Sequence, residues 1–388
     1  MVNYEVIQYK IDSINEIRQY VNQSDSIASL TNQLLNDSLH NQLIDMIDEE
    51  GDEDYSLFND MEMIYLFVHK KRDMNDKKNR GENTKKEYLR DVLLFYKQLI
   101  EQAELIELTL QGLEQYQLFK RLTARHLRKY QEWLKGAPLG KGKKPYSVST
   151  LSRKIMIIRG FLNFLFESKY IEQPIHKKML SSNVRSEDRP YKDLSSYEVT
   201  KILEGFKNHP IVYGVISVLA TTGLRIQELC TARVCDLSFV DGDYWLLVKG
   251  KGDKRREVLI HSNVLKTIEQ FRLRRRLSFK LDPSDQSPLL TTASGKAYDY
   301  KYLSNYITRK IQSLDYDFVK YRSSPITPHA FRHFWAIQSE ENGVNLSQIQ
   351  SGLGHSDVKT TMIYLKRKTL RKNHAAHAWK NSDIINNI

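Results

Sequence analysis

The sequence predicts a mainly α-helical protein with a small β-sheet in its second half. Apolar residues recur at helical spacing along most of the 388 residues, whereas only one short region alternates in the manner of paired strands. The chain is long enough for two or three domains, each with a hydrophobic core. Its hydrophobic fraction of 40% and charged fraction of 27% are typical of a soluble globular protein and exclude a mostly disordered chain.

Composition also bears on the compartment. No apolar run approaches the roughly 20 residues that a membrane helix needs, and the polar, acidic N-terminus lacks the apolar segment of a secretory signal. We therefore expect a cytoplasmic protein with no membrane partner. The two cysteines, Cys230 and Cys235, are too few to staple a chain of this size and fit plain thiols in a reducing compartment.

The charge is distributed unevenly along the chain. Lys and Arg number 59 against 47 Asp and Glu, which gives a net charge of +12 and a pI near 9.3. Residues 1–66 contain 2 basic and 14 acidic residues, so the remainder carries an excess of 24 positive charges. Such an excess usually indicates a polyanionic partner, most often nucleic acid, with simple solubility as the alternative.

Residues 1–66 are predicted to form an acidic helical module. Ile14, Ile17 and Val21 recur at helical spacing, and the leucines of residues 34–43 do the same. The run Asp48–Asp54 (DEEGDED) is an acidic linker or loop. Because this negative segment would repel a phosphate backbone, we interpret it as a protein-contact or autoinhibitory module. A small helical cap without a partner is the alternative.

Residues 67–180 are predicted to form a helical DNA-binding domain. One helix is expected over Asn83–Gln102, with Asn83 or Thr84 as its N-cap. A second is expected over Thr123–Lys135, and a third over residues 147–168. A basic, glycine-rich loop (GAPLGKGKKPY) separates the last two.

Basic side chains in this domain are candidate phosphate contacts. Lys144 belongs to the glycine-rich loop, and Arg153, Lys154 and Arg159 lie on the polar face of the third helix. Helices with one apolar and one basic face suit a module that grips the DNA backbone. A solvated basic face is the alternative.

Residues 190–388 are predicted to be a further domain, separated by the polar linker Ser181–Tyr191 (SSNVRSEDRPY). A β-hairpin is expected around the basic loop Lys249–Arg256, with Tyr244–Val248 and Glu257–Ile260 as its strands. The remainder is predicted to be helical, with helices over Ser195–Phe206, Pro210–Thr221 and Arg225–Val234 and again from Ser262 onward.

Four short motifs in this half carry the chemistry. Each is weak alone, but their order, spacing and basic context make the set specific. They are Ala220–Leu229 (ATTGLRIQEL), Val248–Arg256 (VKGKGDKRR), Pro328–Phe334 (PHAFRHF) and Leu353–Tyr364 (LGHSDVKTTMIY).

The residue types in these motifs suit phosphodiester transfer without a metal. Two arginine forks, Arg225 and Arg332, can hold the non-bridging oxygens and offset transition-state charge. Lys251, between two glycines in the predicted turn, can protonate the leaving 5′-oxygen, and Lys249 is its main competitor. His329 lies one helical turn before Arg332 and can move the nucleophile's proton or hold the phosphate.

The last motif supplies a donor and a nucleophile. His355 follows a glycine, and Tyr364 comes 9 residues later. The Tyr364 hydroxyl can form a bond to the phosphorus that preserves the energy needed for religation. With 22 tyrosines in the chain, a core tyrosine is the alternative reading for Tyr364. His329 and His333 have the spacing of a zinc pair but lack an intervening Glu and an evident third ligand, so we expect neither a metal nor a cofactor. Additional DNA contacts near the cleavage point are expected from Lys254, Arg255 and Arg256.

From about residue 80 to residue 370 the chain resembles the tyrosine recombinase (phage integrase) family. The family pattern R…K…H-x-x-R…H…Y falls on Arg225, Lys251, His329, Arg332, His355 and Tyr364. The resemblance implies a core-binding domain within residues 67–180, including a T-x-x-x-Y start at Thr84–Tyr88, and a catalytic domain in residues 190–388. The two domains would close around double-stranded DNA as a clamp.

The resemblance also implies a reaction and an assembly. Tyr364 would form a 3′-phosphotyrosyl link and leave a free 5′-hydroxyl, and strands would be exchanged through a Holliday junction within a tetramer. The C-terminal tail would pack against a neighbouring subunit. A prophage or mobile element in a bacterial cytoplasm, in association with the nucleoid, is the implied setting.

Three features depart from the family pattern. Phe334 and Trp335 stand where a small or hydroxyl residue is common, and Gln227 stands where a small residue is common. Residues 1–66 are acidic where many phage integrases have a basic arm-binding domain. Two alternatives therefore stay open: a DNA-binding regulator on the same scaffold that no longer recombines, and a type IB topoisomerase that relaxes DNA without a specific site.

Overall fold

The computed structural model confirms the predicted fold class, since its regular structure is helical apart from one three-stranded sheet among the residues it describes. It divides into two units, residues 1–189 and 190–388. The structure describes residues 24–37, 40–49, 55, 58–111, 117–184, 193–250, 254–278, 280–354, 375–376 and 382–383. Among these residues, no helix is long and apolar enough to cross a membrane.

Helices of the first unit pack around one hydrophobic core. Thr123 and Ser147 cap two of them, because their hydroxyls accept hydrogen bonds from the main-chain N–H groups of His126 and Thr150. Asn83 and Thr84 do not cap the helix predicted over Asn83–Gln102, because the N-cap residue of that helix is Gly81. The helices are α1 (Ser24–Gln33), α2 (His40–Glu49), α3 (Asp60–His69), α4 (Glu82–Glu101), α5 (Ala103–Ile106), α6 (Ala124–Gly136) and α7 (Val148–Glu167).

Helix α3 crosses the boundary predicted at residue 66. Met63, Ile64 and Val68 on this helix are completely buried and belong to the same core as side chains of α4 and α7. The helix is apolar on most of its surface and therefore needs neighbours on several sides. The described part of the N-terminal segment is thus packed onto the helical domain. Most of the acidic run at 48–54 lies outside the described residues, and its protein partner stays a prediction.

Asp60 anchors the start of α3 inside this core. Its carboxyl is fully buried and accepts hydrogen bonds from the Leu118 main-chain N–H at 2.6 Å and the Tyr170 hydroxyl at 2.8 Å. Burial outweighs these hydrogen bonds and raises the pKa of Asp60 to about 8. The folded protein therefore holds a proton on Asp60 at pH values where the unfolded chain has already released it.

We expect the free energy of unfolding to fall as pH rises from about 5 to about 8, because the unfolded chain binds fewer protons than the folded one over this window. Asp60→Asn, which is neutral at every pH, should remove this part of the pH dependence. Urea denaturation followed by circular dichroism at pH 5.5 and at pH 8.5 measures it. The exposed Asp76→Asn is the control, and an unchanged pH dependence in Asp60→Asn would contradict the assignment.

The second unit surrounds the helix α9, which is apolar and buried along almost its whole length. Both cysteines belong to this unit and are free thiols, and burial raises the pKa of Cys230 to about 12. The helices are α8 (Ser196–Gly205), α9 (Pro210–Thr222), α10 (Ile226–Thr231), α11 (Ser262–Arg274), α12 (Tyr300–Gln312), α13 (Asp317–Lys320), α14 (Pro328–Glu341) and α15 (Leu346–Leu353).

The sheet of this unit is antiparallel, with strands β1 (Leu237–Val240), β2 (Asp243–Lys249) and β3 (Arg255–Ile260) in that order. The hairpin β2–β3 was predicted. Strand β1 was not, because only Leu237 of its four residues is buried and no alternation marks it. The predicted linker lies partly outside the described residues, which end at 184 and resume at 193.

Candidate active site

Arg225 lies at a sharp turn between two helices of the second unit. Gly223 ends α9 in the left-handed region at φ 63°, where a side chain would be strained and would approach the Trp335 indole to 2.9 Å. Arg225 then serves as the N-cap residue of α10. Its guanidinium donates to Glu228 Oε1 at 2.7 Å, and its main-chain N–H donates to Glu228 Oε2 at 2.8 Å. Glu228 therefore fixes the Arg225 side chain. The side chain still reaches solvent, because 33% of it is exposed.

Glu228 was not among the predicted site residues, yet it connects two elements of the site. It is 4% exposed and accepts hydrogen bonds from both terminal nitrogens of Arg256 on β3, at 2.9 and 2.8 Å. Burial alone would raise the pKa of Glu228, but the hydrogen bonds from Arg256 and Arg225 outweigh burial and lower the pKa to about 2. An acidic residue one helical turn after Arg225 was the signal in the sequence.

Glu228→Ala should lower the free energy of unfolding by about 3 kcal/mol at pH 7, because it leaves two guanidinium groups without their buried counter-charge. Since the pKa of Glu228 is lowered by folding, this contribution is present at neutral pH and is lost as pH falls toward 2. Urea denaturation at pH 7 and pH 3.5 measures both effects. Glu204→Ala, which breaks the exposed pair with Lys201, is the matched control and should change little. An equal loss in the two variants would contradict the role of Glu228.

Arg332 joins the turn at Gly223 to the end of α15. It lies on α14 and is buried, with 1% of its surface exposed. Its two terminal nitrogens donate to the main-chain carbonyls of Gly223 and Leu353, each at 2.6 Å. The structure thus connects the predicted phosphate-binding arginines through one turn, since Arg332 binds a carbonyl two residues before Arg225. It also holds the last residue of α15, immediately ahead of Gly354.

His329 is exposed one turn before Arg332 on α14. Its ring centroid lies 4.8 Å from that of His333, with the rings edge to face. His333 Nδ1 in turn lies 3.7 Å from Asp193 Oδ1. Among the described residues no group of three His, Cys, Asp or Glu is arranged to hold a metal ion. The pair therefore presents one exposed imidazole, His329, supported by a second.

Phe334 and Trp335, which depart from the family pattern, face hydrophobic neighbours. Phe334 packs against the main core of the unit, and Trp335 packs against the small cluster between α14 and α15. The Trp335 ring lies close to Gly223 and Gly352. A Cβ at Gly352 would approach the ring to 2.7 Å. These large side chains therefore pack into hydrophobic clusters of the unit, and Arg332 still makes both of its hydrogen bonds.

Lys251, His355 and Tyr364 lie outside the described residues. The structure describes where the chain enters two of these segments. At the mouth of the hairpin, the Gly250 main-chain N–H donates to the Lys254 carbonyl at 2.8 Å. At the end of α15, Gly354 adopts a left-handed conformation with φ 64°.

Predicted DNA contacts divide into exposed and internally paired residues. Lys144, Lys254 and Arg255 are exposed. Arg153 is half-buried and lies 3.3 Å from Glu87 and 3.4 Å from Asp91. Arg159 donates to the Met179 carbonyl at 2.7 Å.

Lys154 and Arg256, which are also predicted to contact DNA, have internal partners in the structure. Lys154 is buried, and its ammonium donates to Asp91 Oδ1 at 2.8 Å. Asp91 lies within the apolar stripe of α4, and an acid in such a stripe needs a buried cation as partner. Arg256 is committed to Glu228 in the same way, with 13% of its side chain exposed. Both cations satisfy internal carboxylates.

Three comparisons give relatives for this arrangement. The model of the phage integrase family matches residues 192–371. The tyrosine recombinase XerA of Pyrococcus furiosus is 27% identical over 247 residues, which cover 63% of this chain and 78% of XerA. The XerH site-specific recombinase bound to palindromic difH substrate is similar in fold, with a TM-score of 0.55 and 20% identity over 78% of this chain and 80% of XerH. A lambda integrase tetramer bound to a Holliday junction has a TM-score of 0.52 and 14% identity, over 78% and 75%.

The fold and the joined arginine segments, together with these matches, define a DNA strand-transfer enzyme. Over residues 192–371 the chain matches the phage integrase family, and the curated relatives that it matches include tyrosine recombinases.

Proposed function

We propose that this chain is a site-specific recombinase that cuts and rejoins double-stranded DNA through a 3′-phosphotyrosyl intermediate on Tyr364. The observation that carries the proposal is the turn shared by the two predicted phosphate-binding arginines. Arg225 is the N-cap residue of α10, two residues after Gly223, and Arg332 donates to the Gly223 carbonyl at 2.6 Å. Each terminal nitrogen of a guanidinium carries two N–H groups, so Arg225 and Arg332 can each hold the turn with one N–H and offer another to the same phosphodiester.

In the proposed cleavage step, the Tyr364 oxygen attacks the phosphorus and forms a new P–O bond. The bond from phosphorus to the 5′-oxygen breaks, and Lys251 gives that oxygen its proton. His329 takes the tyrosine proton, while Arg225 and Arg332 stabilise the additional negative charge on the non-bridging oxygens. His355 donates a further hydrogen bond to the phosphate.

The proposed rejoining step is the reverse reaction with a different DNA end. A free 5′-hydroxyl attacks the phosphotyrosine, the bond to Tyr364 breaks, and the proton moves back through the same groups. No nucleotide cofactor is required, because the phosphotyrosyl bond preserves the energy of the phosphodiester.

We infer that both units bind the DNA backbone. Residues 67–388 carry 24 more basic than acidic residues, and Lys144 of the first unit and Lys254 and Arg255 of the second are exposed. The fold likeness to a lambda integrase tetramer bound to a Holliday junction supports strand exchange within a tetramer. The C-terminal tail would then pack against a neighbouring subunit.

We also propose that the enzyme serves a prophage or another mobile element. The match to the phage integrase family model over residues 192–371 supports this role.

Covalent capture tests the proposal. The protein is mixed with fragmented DNA from the genome that encodes it, denatured in SDS, and the DNA that stays attached is sequenced, with Tyr364→Phe in parallel. Tyrosine-dependent adducts at one or a few loci are expected and would give the target site. Adducts without sequence preference would favour a type IB topoisomerase. Specific fragments bound before SDS and none retained after it would favour a DNA-binding regulator.

A further inference from the structure

Arg256 makes three well-formed hydrogen bonds inside the protein. Its two terminal nitrogens donate to the two carboxylate oxygens of Glu228, at 2.9 and 2.8 Å, and its Nε donates to the Gly352 carbonyl at 3.0 Å. One guanidinium therefore connects strand β3 to helices α10 and α15. A fork bound on two edges in this way has one orientation, which a flexible ammonium would not have.

The same guanidinium lies against two glycines. A Cβ at Gly354 would lie 3.1 Å from Arg256 Nη1, and a Cβ at Gly250 would lie 3.5 Å from the same atom. Gly354 also has a positive φ, so it combines a left-handed turn with a close approach to Arg256. In the sequence, Gly250 directly precedes Lys251 and Gly354 directly precedes His355.

We propose that Arg256 is a positioning residue that holds three catalytic segments of this recombinase in register. It acts on Arg225 through Glu228, on Gly250 at the mouth of the hairpin, and on Gly352 and Gly354 at the end of α15. This role rests on the proposed recombinase function. It replaces the prediction that Arg256 contacts DNA.

The contacts argue against a phosphate contact at Arg256. To reach a DNA phosphate, the guanidinium would have to leave Glu228, which stays ionised because its pKa is lowered to about 2. That exchange would leave the buried carboxylate with only the partly exposed Arg225 as its counter-charge. Arg255, the preceding residue, is exposed and pairs with Lys249 across the hairpin, so it offers the matched contrast.

The first test separates binding from chemistry. Arg256→Met and Arg256→Lys are compared with Arg255→Met on the DNA fragment that the wild-type protein captures, by measuring Kd over a range of salt and the rate of adduct formation at saturating DNA. A positioning role predicts that Arg256→Met leaves Kd and its salt slope unchanged and slows adduct formation about 100-fold. Arg256→Lys should restore little of that rate, because the ammonium cannot reproduce the two-edged contact.

Arg255→Met should show the opposite pattern, with weaker binding, a salt slope lower by about one, and little change in rate at saturation. The proposal is overturned if Arg256→Met follows the pattern of Arg255→Met. It is also overturned if Arg256→Lys restores the full rate, because charge alone would then be sufficient.

The second test does not depend on catalysis. Hydrogen exchange of the whole protein without DNA is measured by mass spectrometry in peptides covering residues 249–254 and 350–358. Arg256→Met should speed exchange in both peptides, and Arg255→Met in neither. Unchanged exchange in Arg256→Met would refute the positioning role whatever the protein does to DNA. If the wild-type protein captures no DNA, the proposed function is refuted. The hydrogen-exchange result would then test the positioning role of Arg256 by itself.

Discussion

Tyr364→Phe is expected to abolish covalent attachment to DNA while binding survives. The substitution removes only the hydroxyl that would attack the phosphorus. The rate of adduct formation should therefore fall by at least about 10³-fold. Kd should stay within about twofold, since the contacts that bind the DNA backbone are made elsewhere. Denaturing gel electrophoresis of a labelled site and a gel-shift titration measure the two quantities.

The control for this variant is Tyr302→Phe. Tyr302 is an exposed tyrosine on α12 that stacks on Tyr298 and Tyr306, with centroids 6.4 and 6.3 Å away, and it has no part in the proposed chemistry. Tyr302→Phe should cleave at the wild-type rate. SDS-resistant adducts formed by Tyr364→Phe would show that another residue is the nucleophile.

Much of the fold could be predicted because local signals agreed with tertiary packing. The helices predicted from Thr123, from residue 147 and from Ser195 begin there, and each of these hydroxyls accepts a main-chain hydrogen bond as an N-cap. Strand β1 escaped prediction because its four residues bury only Leu237, so its strand character depends on pairing with β2. The boundary at residue 66 was drawn from charge, which does not detect that α3 is apolar and shares the core.

The candidate site shows where charge patterns mislead. Lys154 and Arg256 resembled surface cations because each stands in a basic stretch. Their partners, Asp91 and Glu228, are distant in sequence, and only the fold brings each pair together. The sequence points to Glu228 only through its place one helical turn after Arg225. Its role as counter-charge became evident from the structure, in which Glu228 is buried.

Lys251→Ala is expected to give the second large effect, a loss of about 10² to 10⁴-fold in cleavage rate, because the leaving 5′-oxygen would depart without its proton. The same variant should recover on DNA whose scissile 5′-oxygen is replaced by sulfur, since a thiolate leaves without an acid. Single-turnover cleavage of matched oxygen and sulfur substrates measures the recovery. Tyr364→Phe should stay inactive on both, which separates a missing acid from a missing nucleophile.

Lys249→Ala decides between the two lysines of the hairpin. Lys249 ends strand β2 opposite Arg255. Gly250, which directly precedes Lys251, lies close to Glu228 and Arg256 instead. Lys249→Ala should therefore weaken binding and lower its salt dependence, as loss of a phosphate contact would, and cleave oxygen and sulfur substrates with the wild-type ratio of rates. If the sulfur substrate restores cleavage by Lys249→Ala and not by Lys251→Ala, Lys249 is the acid. The reason is that only the residue that protonates the leaving oxygen becomes dispensable when the leaving group needs no proton.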